Sequence, residues 1–349
     1  MRTILVTGGA GFIGSHLVEA LLGDGQRVVV LDDLSTGRLE NLQNVQNHPN
    51  LEVIVDTILN GSLVEELIDD ADEVYHLAAV VGVKLILEEP ERTVAVNSEA
   101  TATILRLVAA RSKPIFLAST SEVYGKNAKT PLNEDDDCVF GPTSKGRWIY
   151  ACTKALDDHL ALAFYRQRGL PVTVGRFFNT VGPRQVGQYG MVLPRFADQA
   201  LAGGPLLVYG DGLQVRSFGH VADVVRGIVG LMACPSASGQ VFNLGNDHPV
   251  SIRGLAEKVA HAVDPRLHIK HIPYNQVYGS EFEDIRCRVP DLTRVRELIG
   301  YQPQKSLDDI IHDVLAWRRQ VRTEQHDQTS ALTEAKPKAR SKMRLPAVT

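Results

Sequence analysis

The sequence predicts a doubly wound α/β fold, a parallel sheet covered by helices on both faces, followed by a smaller mixed lobe toward the carboxy terminus. Three observations predict it. Short apolar runs alternate with helical patterns from residue 3 to about 120, a glycine-rich turn directly follows the first run, and the rhythm loosens from about 175. The runs are Ile4-Leu5-Val6, Arg27 to Leu31, Val53-Ile54-Val55, Val74 to Leu77 and Ile115 to Ala118. They read as parallel strands, which helical crossovers bury on both faces. Ser15 to Leu22 and Val96 to Ala110 supply such helices. Beyond 175 come glycine and proline breaks such as Gly182-Pro183-Arg184 and Gly203-Gly204-Pro205, with helices expected around 193–202, 222–233 and 251–263. The first unit is expected over 1–175, with strands added from about 176–185 and 215–245, and the lobe over most of 186–320. After Trp317 periodicity disappears and Lys336, Lys338, Arg340, Lys342 and Arg344 make the end basic, so residues 321–349 are expected to be a disordered tail.

A chain of 349 residues can bury a full core without a disulfide or metal staple. Hydrophobic residues at 44% and charged residues at 22% are ordinary for a soluble globular protein, and a formal charge of -4 provides no basic field for nucleic acid. Cys138, Cys152, Cys234 and Cys287 are far apart and form no Cys-x-x-Cys pair, so neither a zinc site nor a disulfide framework is expected. A reduced, cytoplasmic setting fits that usage. The sequence runs from Met1 and Arg2 straight into the first strand without the longer apolar segment of a signal peptide, and no run of about 18 apolar residues points to a membrane span.

Thr7-Gly8-Gly9-Ala10-Gly11-Phe12-Ile13-Gly14 joins the first strand to the first helix. Side chains at Gly8, Gly11 and Gly14 would block the tight turn, the approach of a pyrophosphate, and the packing of helix on strand; the free amides of the helix start can hold a diphosphate. Asp32 ends the second strand roughly 20 residues on, where a carboxylate receives the adenosine ribose hydroxyls and repels a further phosphate. The pattern is that of a Rossmann site, and it favours NAD over NADP. Asp33 can share the role, Asp56 and Ile58 are candidates for the adenine pocket, and Leu77, Ala78 and Ala79 at the fourth strand end are expected against the cofactor with Phe12 and Ile13.

Tyr150 and Lys154 stand four apart, so on a helix they share one face, and the ammonium favours the phenolate over a phenol that otherwise loses its proton near pH ~10. Tyr150 is thereby a candidate general base. Upstream, Ser119-Thr120-Ser121-Glu122 follows the strand 115–118, at the end that faces the ligand crevice in such sheets. Thr120 can relay a proton to Tyr150, while Ser121 and Glu122 add a donor and a second base. Asp223 is expected to cap the helix that follows it.

The glycine motif, Asp32, Thr120 and the Tyr150/Lys154 pair resemble the extended short-chain dehydrogenase/reductase family, over residues 2 to about 318. Within it, Ser119 to Gly125, Gly141 to Lys145, Arg147-Trp148-Ile149-Tyr150 and Arg288-Val289-Pro290-Asp291 are similar to UDP-glucuronate decarboxylases. The resemblance implies an NAD cofactor, a UDP-sugar substrate and a homodimer formed through the helices after residues 97 and 150. It implies a substrate set of Asn179 and Arg216 at the diphosphate, Tyr209 near the uracil, Gln214 and Arg184 nearby, and Arg288 with Glu122 at the sugar carboxylate. The implied path oxidises carbon 4 of the ring, loses carbon dioxide, and ends in a UDP-pentose or its 4-keto form. The alternative is a UDP-sugar 4-epimerase: Ile86 stands where those decarboxylases carry a tyrosine, and Val81-Gly82-Val83-Lys84 resembles epimerases, with Lys84 as an extra cation. A 4,6-dehydratase fits less well, since that group pairs Asp with Glu where this chain has Ser121 with Glu122. A Rossmann protein that binds NAD without chemistry is a third reading, opposed by the presence of Thr120, Tyr150 and Lys154 together.

Overall fold

The computed structural model describes residues 1–187, 191–278 and 285–334, with side chains described except at 83, 84 and 324–334. Its first half alternates strand and helix: β1 (Thr3–Thr7), α1 (Phe12–Gly23), β2 (Arg27–Asp32), β3 (Leu51–Val55), α2 (Gly61–Asp70), β4 (Glu73–His76), α3 (Val83–Glu88), α4 (Pro90–Val94), a π-helical turn (Ala95–Ala100), α5 (Thr101–Ala110), β5 (Ile115–Thr120), α6 (Trp148–Arg168) and β6 (Val172–Phe177). The second half carries β7 (Thr180–Val181), α7 (Val192–Leu201), β8 (Leu206–Tyr209), β9 (Val215–Ser217), β10 (Gly219–His220), α8 (Val221–Met232), β11 (Gln240–Leu244), β12 (Pro249–Ser251), α9 (Ile252–Val263), β13 (Ile269–Ile272), α10 (Asn275–Tyr278), β14 (Cys287–Arg288), α11 (Thr293–Ile299) and α12 (Leu307–Glu334).

Seven strands form one parallel sheet in the order β11-β6-β5-β4-β1-β2-β3. The expected doubly wound fold is what the chain adopts. Each inner strand is apolar because both faces are covered: Ile4, Val6, Val28 and Val30 pack with α1 and α8 on one side, and Leu5, Leu31, Val74 and Leu117 pack with α2 and α5 on the other. The order reverses between β1 and β4, and the crevice at that switch point is where such sheets take ligands. A third core, around Leu193, Phe196, Leu255, Val259 and Ile311, joins α7, α9 and α12 into the smaller lobe.

Three local expectations are corrected. Val215–Ser217 does not add to the large sheet; it pairs with β12 and β14 in a three-stranded sheet of the lobe, while Gln240–Leu244 supplies the seventh strand. The start of α8 is capped by His220, whose Nδ1 accepts from Ala222 N at 3.1 Å, leaving Asp223 inside the first turn. Asp223 Oδ2 instead accepts from the amides of Gln304 and Lys305, both at 3.1 Å, tying α8 to the entry of α12. The chain also stays helical past 321 as far as Glu334, because no proline or glycine interrupts it before Pro337; residues 335–349 lie outside the described residues. Among the described residues, no helix is long and apolar enough to cross a membrane.

Candidate active site

One cavity of about 500 Å³ runs along the carboxyl ends of β1, β4, β5 and β6 and is bounded on its other side by residues of the smaller lobe. Its first half is shaped by the glycines. A Cβ on Gly14 would stand 2.1 Å from the Gly8 carbonyl oxygen, and Gly8, at φ +73°, would meet the Ala78 amide at 2.8 Å. Only a bare backbone leaves this cradle at the amino end of α1. Gly8, Gly11, Phe12, Ile13 and Gly14 all line it, as do Leu77, Ala78 and Ala79 opposite. The latter loop is held by Asn97 of the π turn, whose Oδ1 accepts from Val80 N at 2.7 Å and whose Nδ2 donates to the Val80 carbonyl at 3.1 Å.

Asp32 lines the cavity at the tip of β2, its carboxylate accepting from Ala10 N and Leu34 N, both at 2.9 Å. Burial pushes its carboxyl up, against the pull of those amides. Asp33 also lines the wall, 3.4 Å from Arg92. Ile58 lines it too, whereas Asp56 is turned into its own loop, accepting from Thr57 N at 2.7 Å and Asn60 Nδ2 at 3.0 Å. The shape and the Asp32 carboxylate at the β2 tip fit a dinucleotide.

The candidate catalytic residues lie where β5 and α6 meet. Thr120, Ser121, Glu122, Tyr150, Lys154 and Arg288 line the same cavity. Thr120 caps the short 3₁₀ turn Ser121–Tyr124, its Oγ1 accepting from Glu122 N at 3.2 Å, and its hydroxyl faces the Tyr150 phenol. Burial pushes that phenol above its ordinary value, with Glu122 and Asp157 adding to the rise and Thr120 and Arg288 opposing it. The expectation that the protein's own lysine brings the phenol toward working pH is therefore not met by the chain alone: desolvation is the largest influence on it, and the groups that oppose the rise are Thr120 and Arg288.

Glu122 is the electrostatic hub. Its Oε2 accepts from Arg147 Nη2 at 3.0 Å and its Oε1 accepts from Arg288 Nη1, which also lies 3.4 Å from Ser121 Oγ. Burial works to raise its carboxyl, but Arg288, Arg147 and Arg216 together hold it below the usual carboxylate range. Arg147 stacks on the Trp148 ring, 5.0 Å from its centroid, with Lys126 at 5.5 Å. Arg147 was missed in the sequence, where it registered only as part of a motif; its partner is 25 positions away.

In the lobe half of the cavity, Asn179, Tyr209, Gln214 and Arg216 converge. Asn179 Nδ2 is buried with no hydrogen-bond partner among the described residues, a donor left for a ligand. Gln214 Nε2 donates to Tyr274 Oη at 2.8 Å, and Arg195 lies 3.7 Å from the centroid of the Tyr209 ring, covering one aromatic face. Arg195 and Tyr274 carry no sequence signal of their own. Arg184 also lines the cavity but belongs to the other half: it donates to Ser15 Oγ at 3.2 Å and Glu19 Oε1 at 2.5 Å on α1, beside the glycine cradle. Ile86 is buried in the wall, and the Lys84 side chain lies outside the described residues.

The comparisons with known proteins agree with this layout. A family model described as GDP-mannose 4,6 dehydratase matches residues 5–314. The chain is 38% identical over 321 residues to a UDP-N-acetyl-alpha-D-glucosaminuronate decarboxylase of Bacillus cytotoxicus, covering 92% of this chain and 98% of the relative. It is 35% identical over 316 residues to UDP-glucuronic acid decarboxylase 1 of Danio rerio, covering 90% and 72%. The solved UDP-glucuronic acid 4-epimerase of Bacillus cereus, in complex with NAD, superposes with a TM-score of 0.80 at 28% identity, over 91% of this chain and 99% of its own. With nearly the whole folded chain inside that family model and relatives above a third identical over about nine-tenths of this chain, the chain belongs to the GDP-mannose 4,6-dehydratase family of extended short-chain dehydrogenases/reductases.

Proposed function

We propose that this chain is an NAD-dependent decarboxylase of a UDP-linked hexuronate, with UDP-glucuronate as substrate and UDP-xylose or the 4-keto pentose as product. The observation that carries the reading is the Glu122 carboxylate shared by Arg147 and Arg288 in the wall that holds Thr120, Tyr150 and Lys154. Decarboxylase names among the relatives support it.

Bound NAD supplies a hydride acceptor that can return the hydride, and a positive ring that lowers the phenol's affinity for its proton. Tyr150 takes the proton from the carbon-4 hydroxyl, with Thr120 as relay and Lys154 favouring the phenolate. The resulting ketone stands beta to the carboxylate, so when the carbon 5–carbon 6 bond breaks, the electron pair passes into the carbonyl as an enolate and carbon dioxide leaves. Carbon 5 then takes up one proton, and the Ser121/Glu122/Arg288 group is the polar cluster on that side of the cavity. Arg288 gives the uronate a forked donor; Arg147 remains on Glu122 when Arg288 turns to the substrate. Asn179 and Arg216 hold the diphosphate, and Gln214 and Tyr209 the base end.

A 4-epimerase is the second reading, favoured by Ile86 in the cavity wall and by the likeness to the Bacillus cereus enzyme. The N-acetylated uronate in the name of the 38% identical relative is a further candidate substrate. The chain acts in the cytoplasm as a homodimer in this reading, through α6, where Leu156 is 56% exposed.

The test is incubation of purified protein and NAD with UDP-glucuronate, UDP-N-acetylglucosaminuronate, UDP-galacturonate and UDP-glucose in separate reactions. Carbon dioxide and a UDP-pentose from UDP-glucuronate are expected. Interconversion of 4-epimers without loss of mass contradicts the reading.

A further inference from the structure

Lys154 has a neighbour on each side along one face of α6: the Tyr150 phenol a turn before it and the Asp157 carboxylate a turn after. Its ammonium lies 3.2 Å from Asp157 Oδ2, and both side chains are closed to solvent, at 3% and 1% exposed. Neither oxygen of Asp157 is held by a well-formed hydrogen bond among the described residues. A buried ion pair adds little net stability, and an apolar residue of similar size packs as well or better. The carboxylate therefore needs a reason in the chemistry beside it.

The surroundings narrow that reason. His76 on β4 feels Lys154 and, buried between Thr7 Oγ1 and Thr101 Oγ1, stays neutral. Ser98 on the π turn faces Asp157, and Asp158 beside it is engaged by Arg176 of β6 at 2.9 Å. Glu122, from the turn after β5, is the other carboxylate that acts on the Tyr150 phenol. Burial pushes Asp157 up to about 6, even with Lys154 pulling it down. Asp157 thus changes charge close to neutral pH while it touches the Lys154 ammonium and, by its own charge, raises the Tyr150 phenol.

We propose that Asp157 is a positioning residue of the proton-transfer pair, anchoring the Lys154 ammonium and governing how much of its charge reaches Tyr150. The proposal rests on Tyr150 serving as the base. Ionised, Asp157 offsets the ammonium and keeps the phenol protonated; neutral, it lets the ammonium act in full. The two titrations oppose each other, so as pH falls the phenol is released from its restraint and the working range of the base is widened.

Two measurements on the NAD-loaded enzyme test this. The acidic limb of the pH–rate profile for NADH formation should move to lower pH by about one unit in D157N, while D157E keeps the wild-type limb. Infrared difference spectra between wild type and D157N should show a protonated carboxyl band that vanishes as pH rises through about 6, and K154M should move that band to higher pH. If D157N does not fold, D157S removes the same charge and is read the same way. A uniform loss of rate with the limb unmoved, or a carboxyl band indifferent to Lys154→Met, overturns the proposal. If no sugar nucleotide is oxidised, the functional reading fails, and the infrared titration still decides this one.

Discussion

Arg147, three residues before the candidate base Tyr150, donates to Glu122 Oε2 at 3.0 Å and so ties the start of α6 to the turn that ends β5. With Arg288 on the other oxygen, the carboxylate is held ionised and in place, although burial acts to neutralise it. Glu122→Gln should lower decarboxylation about a hundredfold, the size expected for a positioned acid–base group, and leave NAD affinity within about twofold as read by calorimetry. Equal loss of both makes Glu122 a structural residue.

Arg288 faces the substrate's carboxylate in the proposed path, so its removal should act on recognition of the acid. Arg288→Met is expected to raise KM for UDP-glucuronate by about 10- to 100-fold, the worth of one charge-assisted bond, while the inhibition constant of UDP-glucose shifts much less. A parallel loss for acid and neutral sugars places Arg288 elsewhere in the mechanism.

The glycine cradle gives a sharp steric prediction. A methyl on Gly14 would stand 2.1 Å from the Gly8 carbonyl oxygen, a clash with backbone that no side-chain movement relieves. Gly14→Ala should abolish measurable NAD binding and lower the melting temperature; near-normal NAD affinity contradicts the placement of the pyrophosphate there.

His76 makes stability pH-dependent. Burial, then the Lys154 charge, lowers it from 6.5 to about 3, so the native state binds fewer protons than the unfolded chain between those values. Its contribution is fully present above the ordinary value and is lost as pH falls toward 3; by about pH 5 the loss amounts to about 2 kcal/mol. Urea midpoints should fall between about pH 7 and about pH 5 in wild type, and that fall should be smaller in His76→Gln. An unchanged slope assigns the acid sensitivity to other groups.

Much of the fold was legible because buried parallel strands are written as continuous apolar runs: Ile4 to Val6, Val28 to Leu31 and Ile115 to Leu117 could be placed without knowing their neighbours. The site was legible where chemistry sits at fixed local spacing, as in Gly8, Gly11 and Gly14 or Tyr150 and Lys154. What escaped depends on contacts between distant segments. Arg147 gains meaning only from Glu122, Arg184 turned out to face Ser15 and Glu19 on α1, and Asp223 serves the Gln304 and Lys305 amides while His220 takes the cap. Asp157 was invisible for a different reason: a carboxylate on a helix reads as a solvated face, and only the packing of α6 against β5 and the π turn shows it buried.

The central claim is that oxidation at carbon 4 by the Tyr150/Lys154 pair leads to loss of the carboxyl group. UDP-glucuronate labelled with heavy carbon at the carboxyl position tests it directly, in wild type and in Tyr150→Phe. The account predicts that wild type releases the label as carbon dioxide and leaves an unlabelled UDP-pentose, and that Tyr150→Phe slows release at least about a hundredfold. Label retained in a 4-epimer of the substrate, with no carbon dioxide formed, would contradict it.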